Sequence, residues 1–192
     1  YHTKNNPAEE FREFEIYDYQ KATAAKLFGA FASGQDRVFK MQYTQYEWAR
    51  LTMEQYRREK WFSSGLIYWM LDDCWPATGW ALIDYYGVPK AGWYGVKRAA
   101  KPVICSIEKR EGADLAWVAS DACQAAQGRL TLFVQPFEGP RQVVAQADFE
   151  VPANTSLCAL RAPSGDIEPL LNERCLLMCE IEGPGLRDRT FH

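Results

Sequence analysis

The pattern of apolar residues changes at Pro102, and this change limits the folds that the chain can adopt. After Pro102 the sequence consists of short apolar runs at roughly ten-residue spacing, separated by turns rich in Gly, Pro, Asn and Asp. The runs are VICSIEKRE, DLAWVAS, RLTLFVQPF, QVVAQADFEV, SLCAL and RCLLMCEIE. Short strands spaced in this way are typical of an antiparallel β-sandwich. We therefore expect a domain boundary near residue 101 and an all-β domain over residues 102–192.

Helical patterns dominate the chain before that boundary. Residues 7–31 are rich in helix formers, with acidic residues first and lysines later, as the helix dipole favours. The sequence then breaks at Ser33, and Asp36 is placed to cap a second helix that runs to about residue 61. A third helix is expected over residues 90–101, because the proline that follows cannot continue it.

The run GLIYWML at residues 65–71 lies between the second and third predicted helices. A short, continuously apolar run with β-branched and aromatic members is typical of a strand buried on both faces in a parallel sheet or barrel. The segment DDCWPATGWALIDYYGVPK follows it as a long loop rich in polar and aromatic residues. Helix, buried strand, long loop and helix indicate a βα unit, so the predicted fold class is α/β plus all-β.

Several classes of partner are not expected from the composition. The net charge of −3 provides no excess of Lys and Arg for phosphate recognition, which argues against a nucleic-acid partner. No run approaches the roughly 18 apolar residues of a membrane span, so no membrane partner is expected. The six cysteines lack the paired spacing of a zinc site and favour either a reducing compartment, of which the cytoplasm is slightly favoured, or simply unbridged thiols. Phosphate-loop and nucleophile-elbow motifs are absent, and we expect no metal and no cofactor.

Aromatic residues are the unusual part of the composition. Seven Trp, ten Tyr and ten Phe make up 14% of the chain, and most of the Trp residues lie between residues 48 and 93. Aromatic rings fill cores, but they also stack on the apolar faces of sugars. In a (β/α)8 barrel the chemistry gathers in the loops that follow the strands. The residues around and after the 65–71 run are therefore candidates for a sugar pocket: Trp69, Trp75, Trp80, Asp84 and Tyr85.

The adjacent Asp72 and Asp73 are not expected to be the catalytic pair of a glycosidase. Retaining hydrolysis needs two carboxyl groups about 5–5.5 Å apart on either side of the glycosidic bond. Neighbouring residues in an extended chain point to opposite faces, so at most one of the two would face a pocket. A cap or turn role is expected for at least one of them. Cys74 is close in sequence to neither His2 nor His192, which leaves a Cys–His nucleophile only weakly supported.

The segment SSGLIYWMLDDCWPATGWALIDYYGVPKAGWYGVKRAAKPV resembles the β-mannosidase branch of glycoside hydrolase family 2, most strongly from Gly65 to Val103. The HTKNN opening and the stretch over residues 46–58 look like segments that precede the last barrel strand in that family. The resemblance implies that residues 1–101 supply the closing helices, last strand and last helix of a (β/α)8 TIM barrel. It also implies an immunoglobulin-like β-sandwich over residues 102–192.

The activity implied by the resemblance is that of a retaining exo-enzyme. Such an enzyme removes β-mannose or a related sugar from a non-reducing end through a covalent glycosyl-enzyme, so its partner is a β-mannoside or related glycan. The two catalytic glutamates of the family would lie upstream of Tyr1. The Asn172-Glu173 pair falls in the β-region, and the Ser-Glu-aromatic-Gly nucleophile motif is absent. We therefore expect no catalytic residue in this chain, and no activity from it alone.

Supporting roles are what the resemblance assigns to individual residues. Trp69 looks like the aromatic floor of the subsite that holds the reacting sugar. Asp73 and Trp75 resemble wall or loop-anchoring residues of the same substrate pocket, and Trp80 and Asp84 are expected to join them.

Two other interpretations stay open. The chain could be a carbohydrate-binding or assembly module whose aromatic loop binds sugar without cleaving it, and residues 102–192 could be a scaffold that packs on the barrel. An incomplete barrel exposes apolar faces, so we expect residues 1–101 to dimerise, to rearrange their helices, or to bind the rest of a parent chain. The YHTKNN start has neither Met nor a signal-like run and is interpreted as an excision point in a longer protein.

Overall fold

The chain contains two compact units, seen in a computed structural model that describes residues 16–76 and 79–192. The first unit comprises the described residues up to Met53 together with Leu66–Ala100, and the second comprises Glu54–Gly65 and Lys101–His192. Residues 7–15, the start of the first predicted helix, lie outside the described residues. No helix in the described part of the chain is long and apolar enough to cross a membrane.

Three helices build the described part of the first unit. They are α1 (Ile16–Phe28), α2 (Gly34–Arg58) and α3 (Ala91–Ala99). The last residues of α2, from Glu54 onward, belong to the second unit. Helix α1 packs on α2 through aromatic pairs: the rings of Tyr19 and Trp48 stack at 5.7 Å, and those of Phe28 and Tyr43 meet edge to face at 5.3 Å. The second and third predicted helices are confirmed, with their ends shifted by at most three residues.

The start of α2 corrects one prediction, because Ser33 rather than Asp36 caps the helix. The Ser33 Oγ accepts a hydrogen bond from the Asp36 N–H at 3.1 Å, while the Asp36 carboxylate accepts one from the Ala32 N–H at 2.9 Å. This reciprocal arrangement resembles a capping box. Lys40 lies one turn further on, and its ammonium is 2.9 Å from the Asp36 carboxylate. The hydrogen bond from Lys40 and the one from Ala32 lower the pKa of Asp36.

The predicted buried strand over residues 65–71 is not present. No strand is formed there, and its large apolar side chains are exposed, with Ile67 exposed by 89%. A parallel strand is defined by hydrogen bonds to neighbouring strands, and all strands among the described residues lie in the second unit. Among the described residues of this part of the first unit, β-type pairing consists of the single bridges Asp72–Ile83 and Ile83–Pro89. Without neighbouring strands the run stays extended and exposed.

The second unit is built from seven antiparallel strands in two sheets. The strands are β1 (Val103–Arg110), β2 (Ala113–Ser120), β3 (Ala126–Pro136), β4 (Gln142–Val151), β5 (Ser156–Pro163), β6 (Cys175–Gly183) and β7 (Leu186–Phe191). One sheet has the order β1-β2-β5, and the other has the order β4-β3-β6-β7. A short helix, α4 (Ser164–Ile167), and one 3-10 turn connect β5 to β6. The six strand runs predicted from the sequence are therefore confirmed, and β7 is an addition.

The core of the second unit lies between the two sheets. Alternate residues of the strands point inward, and their side chains are almost completely buried, as in Val118 of β2, Leu132 of β3 and Ile181 of β6. Burying an aliphatic side chain of this size stabilises the fold by roughly 1.5–3 kcal/mol. Sixteen buried residues share this one cluster, so the second unit has a core of its own.

Within the second unit, the largely buried side chains of Arg57 and Lys60 bind the end of α2 and the residues after it to the strands. The Arg57 guanidinium donates hydrogen bonds to the carbonyl oxygens of Lys101 at 2.7 Å and Pro102 at 3.1 Å, and it forms an ion pair with Asp121 at 3.1 Å. The Lys60 ammonium pairs with the same carboxylate. Burial lowers the pKa of Arg57, although the nearby carboxylates oppose that shift. The carbonyl groups that precede β1 thus gain charged donors from the helix.

Replacing Gly95 by alanine should destabilise the first unit. An added Cβ would lie 2.5 Å from the Tyr46 carbonyl oxygen of α2, so α3 would have to move away, at a cost of about 1–3 kcal/mol. Gly34→Ala is the matched control, because no atom lies within 4 Å of a Cβ there. Hydrogen exchange of the α3 amides should accelerate in the Gly95 variant only. Equal exchange in both variants would show that the close approach is not needed.

Replacing Arg57 by methionine should destabilise the second unit. The change keeps an unbranched side chain but removes the donors to two partly buried carbonyl groups, and we expect a loss of about 1–2 kcal/mol in the free energy of unfolding. Urea unfolding monitored by exchange of β1 and β2 amides measures this loss. The control is Arg129→Met, which removes an exposed ion pair with Asp148 and should change much less. Similar losses in the two variants would contradict the role given to Arg57.

Candidate functional site

The candidate site is a loop of the first unit, described over residues 66–76 and 79–90. At its base, the segments 70–73 and 82–83 run side by side, because Leu82 and Ile83 donate their N–H groups to the carbonyl oxygens of residues 70 and 71. The Asp73 N–H donates a hydrogen bond to the Ile83 carbonyl oxygen at 3.1 Å. Backbone hydrogen bonds therefore hold the base of the loop, and Trp75 and Trp80 lie between the two paired segments in the sequence.

An ion pair between Asp73 and Lys90 reinforces the base of the loop. The Lys90 Nζ lies 2.5 Å from the Asp73 Oδ2, and the two side chains are only 11% and 12% exposed. The same ammonium donates to the Gly79 carbonyl oxygen at 3.2 Å. Asp72, by contrast, is exposed, as expected for a neighbour on an extended chain. The structure thus gives Asp73 the contacts of a loop-anchoring residue, one of the two roles that the resemblance implied.

The Asp84 carboxylate organises a tight turn. Its Oδ1 accepts hydrogen bonds from the N–H groups of Tyr86 and Val88, both at 2.9 Å. The backbone groups of Asp84 also bond to those of Val88 and Gly87, and Gly87 adopts a φ of 79°, which glycine tolerates best. Asp84 therefore acts as a turn residue here. Its contact with a sugar stays a prediction.

The tryptophans of the loop differ in exposure. The side chains of Trp69 and Trp75 are 72% and 53% exposed, so both rings are accessible to a ligand. Trp80 is half-buried, and its carbonyl oxygen accepts hydrogen bonds from the Gln45 side chain at 2.9 Å and the Tyr68 hydroxyl at 3.2 Å. Burial raises the pKa of Tyr68. The accessible rings are therefore the two tryptophans closest to Asp73 in the sequence, and their binding of sugar stays a prediction.

Three polar residues that support the loop were not among the predicted site residues. Gln45 of α2 also donates to the Ala81 carbonyl oxygen at 3.1 Å, and Gln42 accepts a hydrogen bond from the first N–H of α3 at 2.7 Å. Lys90 is the third. The two glutamines lie three residues apart on one face of α2, which is the spacing of residues that meet the same neighbour. The partner of Lys90 could not be found from local spacing, because Asp73 lies 17 residues away.

The described residues contain no group of three His, Cys, Asp or Glu side chains that could hold a metal ion. Their six cysteines are all free thiols, and Cys74 of the loop is exposed. The site is thus an aromatic and polar surface with an anchored base. Such a surface can bind the apolar face and the hydroxyl groups of a sugar.

Comparison with curated proteins finds relatives among enzymes that act on β-linked sugars, although no family model matches the chain. The exo-β-D-glucosaminidase of Arthroderma benhamiae is 39% identical over 107 residues, which is 54% of this chain and 12% of that protein. The β-mannosidase B of Emericella nidulans is 28% identical over 146 residues, which is 69% of this chain and 17% of that protein. The chain therefore spans less than a fifth of the length of these relatives.

The fold is also found in a solved structure. The β-D-mannosidase of Dictyoglomus thermophilum matches with a TM-score of 0.83 over 97% of this chain and 23% of its own, at 24% identity. At that identity the likeness concerns the fold alone, and it shows that the mixed helix-and-sheet fold occurs within a β-mannosidase. The relatives are thus glycoside hydrolases. These relatives confirm the predicted resemblance to the β-mannosidase branch of glycoside hydrolase family 2.

The role of Asp84 in its turn can be tested by hydrogen exchange of the Tyr86 and Val88 amides. Asp84→Ala should accelerate their exchange by about tenfold, since a hydrogen bond to a charged acceptor contributes about 1.5 kcal/mol. Asp84→Asn should change it less, because the amide oxygen can still accept both bonds. The exposed Asp72→Ala serves as the control. If Asp84→Ala leaves both amides as protected as in the control, the carboxylate does not hold the turn.

Proposed function

We propose that the chain is the carboxy-terminal part of a retaining exo-glycosidase that hydrolyses terminal β-mannosides or related β-glycosides. The observation that carries the proposal is the anchored loop with its exposed tryptophans, because it lies in the segment whose sequence resembles β-mannosidases. In this proposal Trp69 is the floor of the pocket and Trp75 part of its wall, while Asp73, Trp80 and Asp84 hold the loop around the sugar. The carbohydrate partner is thus bound mainly by stacking on aromatic rings.

The barrel part of the proposal assigns residues 1–101 to the end of a TIM-barrel catalytic domain. The GLIYWML run would become the last barrel strand by pairing with strands from the rest of the parent chain. Support comes from the large apolar side chains that the loop exposes, since a stable monomer rarely leaves so many uncovered. Apart from the two proposed pocket rings, they are Leu66, Ile67, Leu71, Tyr85, Tyr86 and Val88. The rest of the parent chain is therefore the partner that we expect to cover them.

The proposed second domain, residues 102–192, is an immunoglobulin-like β-sandwich. The division into a three-stranded and a four-stranded antiparallel sheet around one core supports it, because seven strands in two such sheets are typical of that fold. A sandwich with a complete core can serve as a scaffold beside a catalytic barrel. We assign it no direct part in the chemistry.

The catalytic carboxylates are proposed to lie in the parent chain outside these residues. Retaining hydrolysis needs an acid/base and a nucleophile on opposite sides of the glycosidic bond. The Asn172-Glu173 pair precedes β6 in the second unit, where the Asn172 side chain accepts a hydrogen bond from the Arg174 N–H at 2.8 Å. These contacts belong to a local turn and support a structural role for the pair. In our proposal the chain supplies the substrate-binding aromatic residues and the parent supplies the glutamates.

The proposal is tested by assaying the parent protein and this chain on aryl β-mannoside, aryl β-glucosaminide, aryl β-galactoside and aryl β-glucuronide. We expect hydrolysis by the parent only, and the preferred substrate would identify the branch, since the relatives are named for β-mannoside and β-glucosaminide cleavage. Activity in the isolated chain would show that the catalytic carboxylates lie within it. A parent that cleaves none of the four would contradict the proposal.

A second candidate is a module that binds sugar without cleaving it, and the exposed Trp69 and Trp75 rings favour it. It predicts that the chain alone quenches or shifts its tryptophan fluorescence when it binds mannose or glucosamine. The exo-glycosidase proposal predicts no saturable binding by the chain alone, because the opposite wall of the pocket comes from the parent.

In the parent, Trp69→Ala should lower kcat/KM by about a hundredfold. An aromatic floor both binds and orients the sugar, and a mispositioned substrate can cost a factor of that size. Steady-state kinetics on the preferred aryl glycoside measure the loss. Phe137→Ala, which removes a 62% exposed ring of the second unit, is the matched control and should leave kcat/KM unchanged. Equal kinetics in the two variants would exclude Trp69 from the pocket.

A further inference from the structure

We propose that the Asp73–Lys90 ion pair is a positioning device for the substrate loop, and that Asp73 acts through Lys90 without touching the sugar. The inference rests on the proposed function, since it concerns the same loop. It selects the loop-anchoring role from the two that the resemblance implied for Asp73, and it adds Lys90 as the residue through which Asp73 acts. In this proposal Lys90, which directly precedes α3, is needed for the activity of the glycosidase.

The ion pair joins three separate parts of the loop. Asp73 follows the run that carries Trp69, Gly79 lies in the middle of the loop, and Lys90 directly precedes α3. The Lys90 ammonium binds both of the other two, and its backbone N–H donates to the Leu82 carbonyl oxygen at 2.8 Å. One side chain therefore fixes the beginning, the middle and the end of the loop. Removing it breaks the side-chain contacts to Asp73 and Gly79 together.

The Asp73 carboxylate binds the Lys90 ammonium of its own chain. Its Oδ2 is 2.5 Å from the Lys90 Nζ, and the side chain is only 12% exposed. A carboxylate that binds a sugar hydroxyl must present an oxygen to the ligand, whereas this one is sheltered within the base of the loop. Charged hydrogen bonds in such places are screened little by salt, so the pair can hold its geometry.

The positions of Trp69 and Trp75 depend on the position of the loop base. Trp75 is two residues beyond Asp73, and Trp69 is four residues before it. The Asp73 N–H is also one of the hydrogen bonds that align the segments 70–73 and 82–83. A shift of Asp73 therefore moves the backbone that carries both exposed rings. Small displacements of a binding group can reduce catalysis by about a hundredfold.

A double-mutant cycle in the full-length parent tests the proposal. Asp73→Asn and Lys90→Met should each lower kcat/KM by about ten- to a hundredfold, chiefly by raising KM, because the loop contributes binding. The double variant should be no worse than the poorer single variant, since both changes break the same pair. Lys90→Arg should recover much of the activity, because it restores a cation to the carboxylate. Lys97→Met, an exposed lysine of α3, is the control and should behave as the unmodified enzyme.

A different result overturns the inference. If Asp73 contacts the sugar itself, Asp73→Asn will lose far more activity than Lys90→Met, and the two losses will multiply in the double variant. Full activity in Lys90→Met would also exclude a positioning role. These outcomes leave the proposed function intact, because the unmodified parent remains active.

Failure of the proposed function gives a separate signal. If the unmodified parent cleaves no glycoside, hydrogen exchange of the Leu82 and Ile83 amides still reports on the ion pair. Lys90→Met should then accelerate exchange of both amides, which align the base of the loop, while Lys97→Met should not. Unchanged exchange in Lys90→Met would show that the pair does not hold the loop.

Discussion

The need of every backbone N–H and C=O group for a hydrogen-bond partner explains most of this structure. In the second unit the seven strands provide one another with partners, and the two sheets enclose an apolar core. In the described part of the first unit no strand lies beside residues 65–71, and a run that is apolar enough for a barrel interior remains extended and exposed. The same rule is therefore met by the strands of the second unit, whereas residues 65–71 have no neighbouring strand among the described residues.

The sequence predicts the second unit well because its strands obey local rules. Six of the seven strands were identified from apolar runs between turn residues. Strand β7 was missed because its buried positions are polar: Asp188 accepts a hydrogen bond from the Lys101 ammonium and one from the Cys105 N–H, and Thr190 donates to Glu54. Those partners are distant in the sequence. A pattern of apolar residues cannot reveal a strand whose inward side chains are satisfied by hydrogen bonds.

In the candidate site the sequence indicates the aromatic residues and the two aspartates, Asp73 and Asp84, but not Lys90 or the glutamines of α2. Trp69 and Trp75 stand out because large rings in a loop after an apolar run indicate ligand contact, and both are exposed. The lysine at the end of the loop attracts no attention in the sequence, since a charged residue before a helix is ordinarily solvated. Only the fold places its ammonium against Asp73. The misplaced helix cap has the same origin, because Ser33 and Asp36 both suit the start of α2 and the backbone selects between them.

The loop combines two requirements that usually conflict. In the proposed function its rings must be exposed to meet a sugar, yet exposed aromatic loops lose their geometry unless something else fixes them. Here the fixing groups are polar: the Asp73–Lys90 pair at the base, the Gln45 amide on the Trp80 carbonyl oxygen, and the Asp84 carboxylate in the following turn. The exposed rings and the polar groups that hold the loop are therefore different side chains. A change of sugar specificity can then arise by exchanging rings while the support stays the same, which suits a fold shared by relatives named for different β-glycosides.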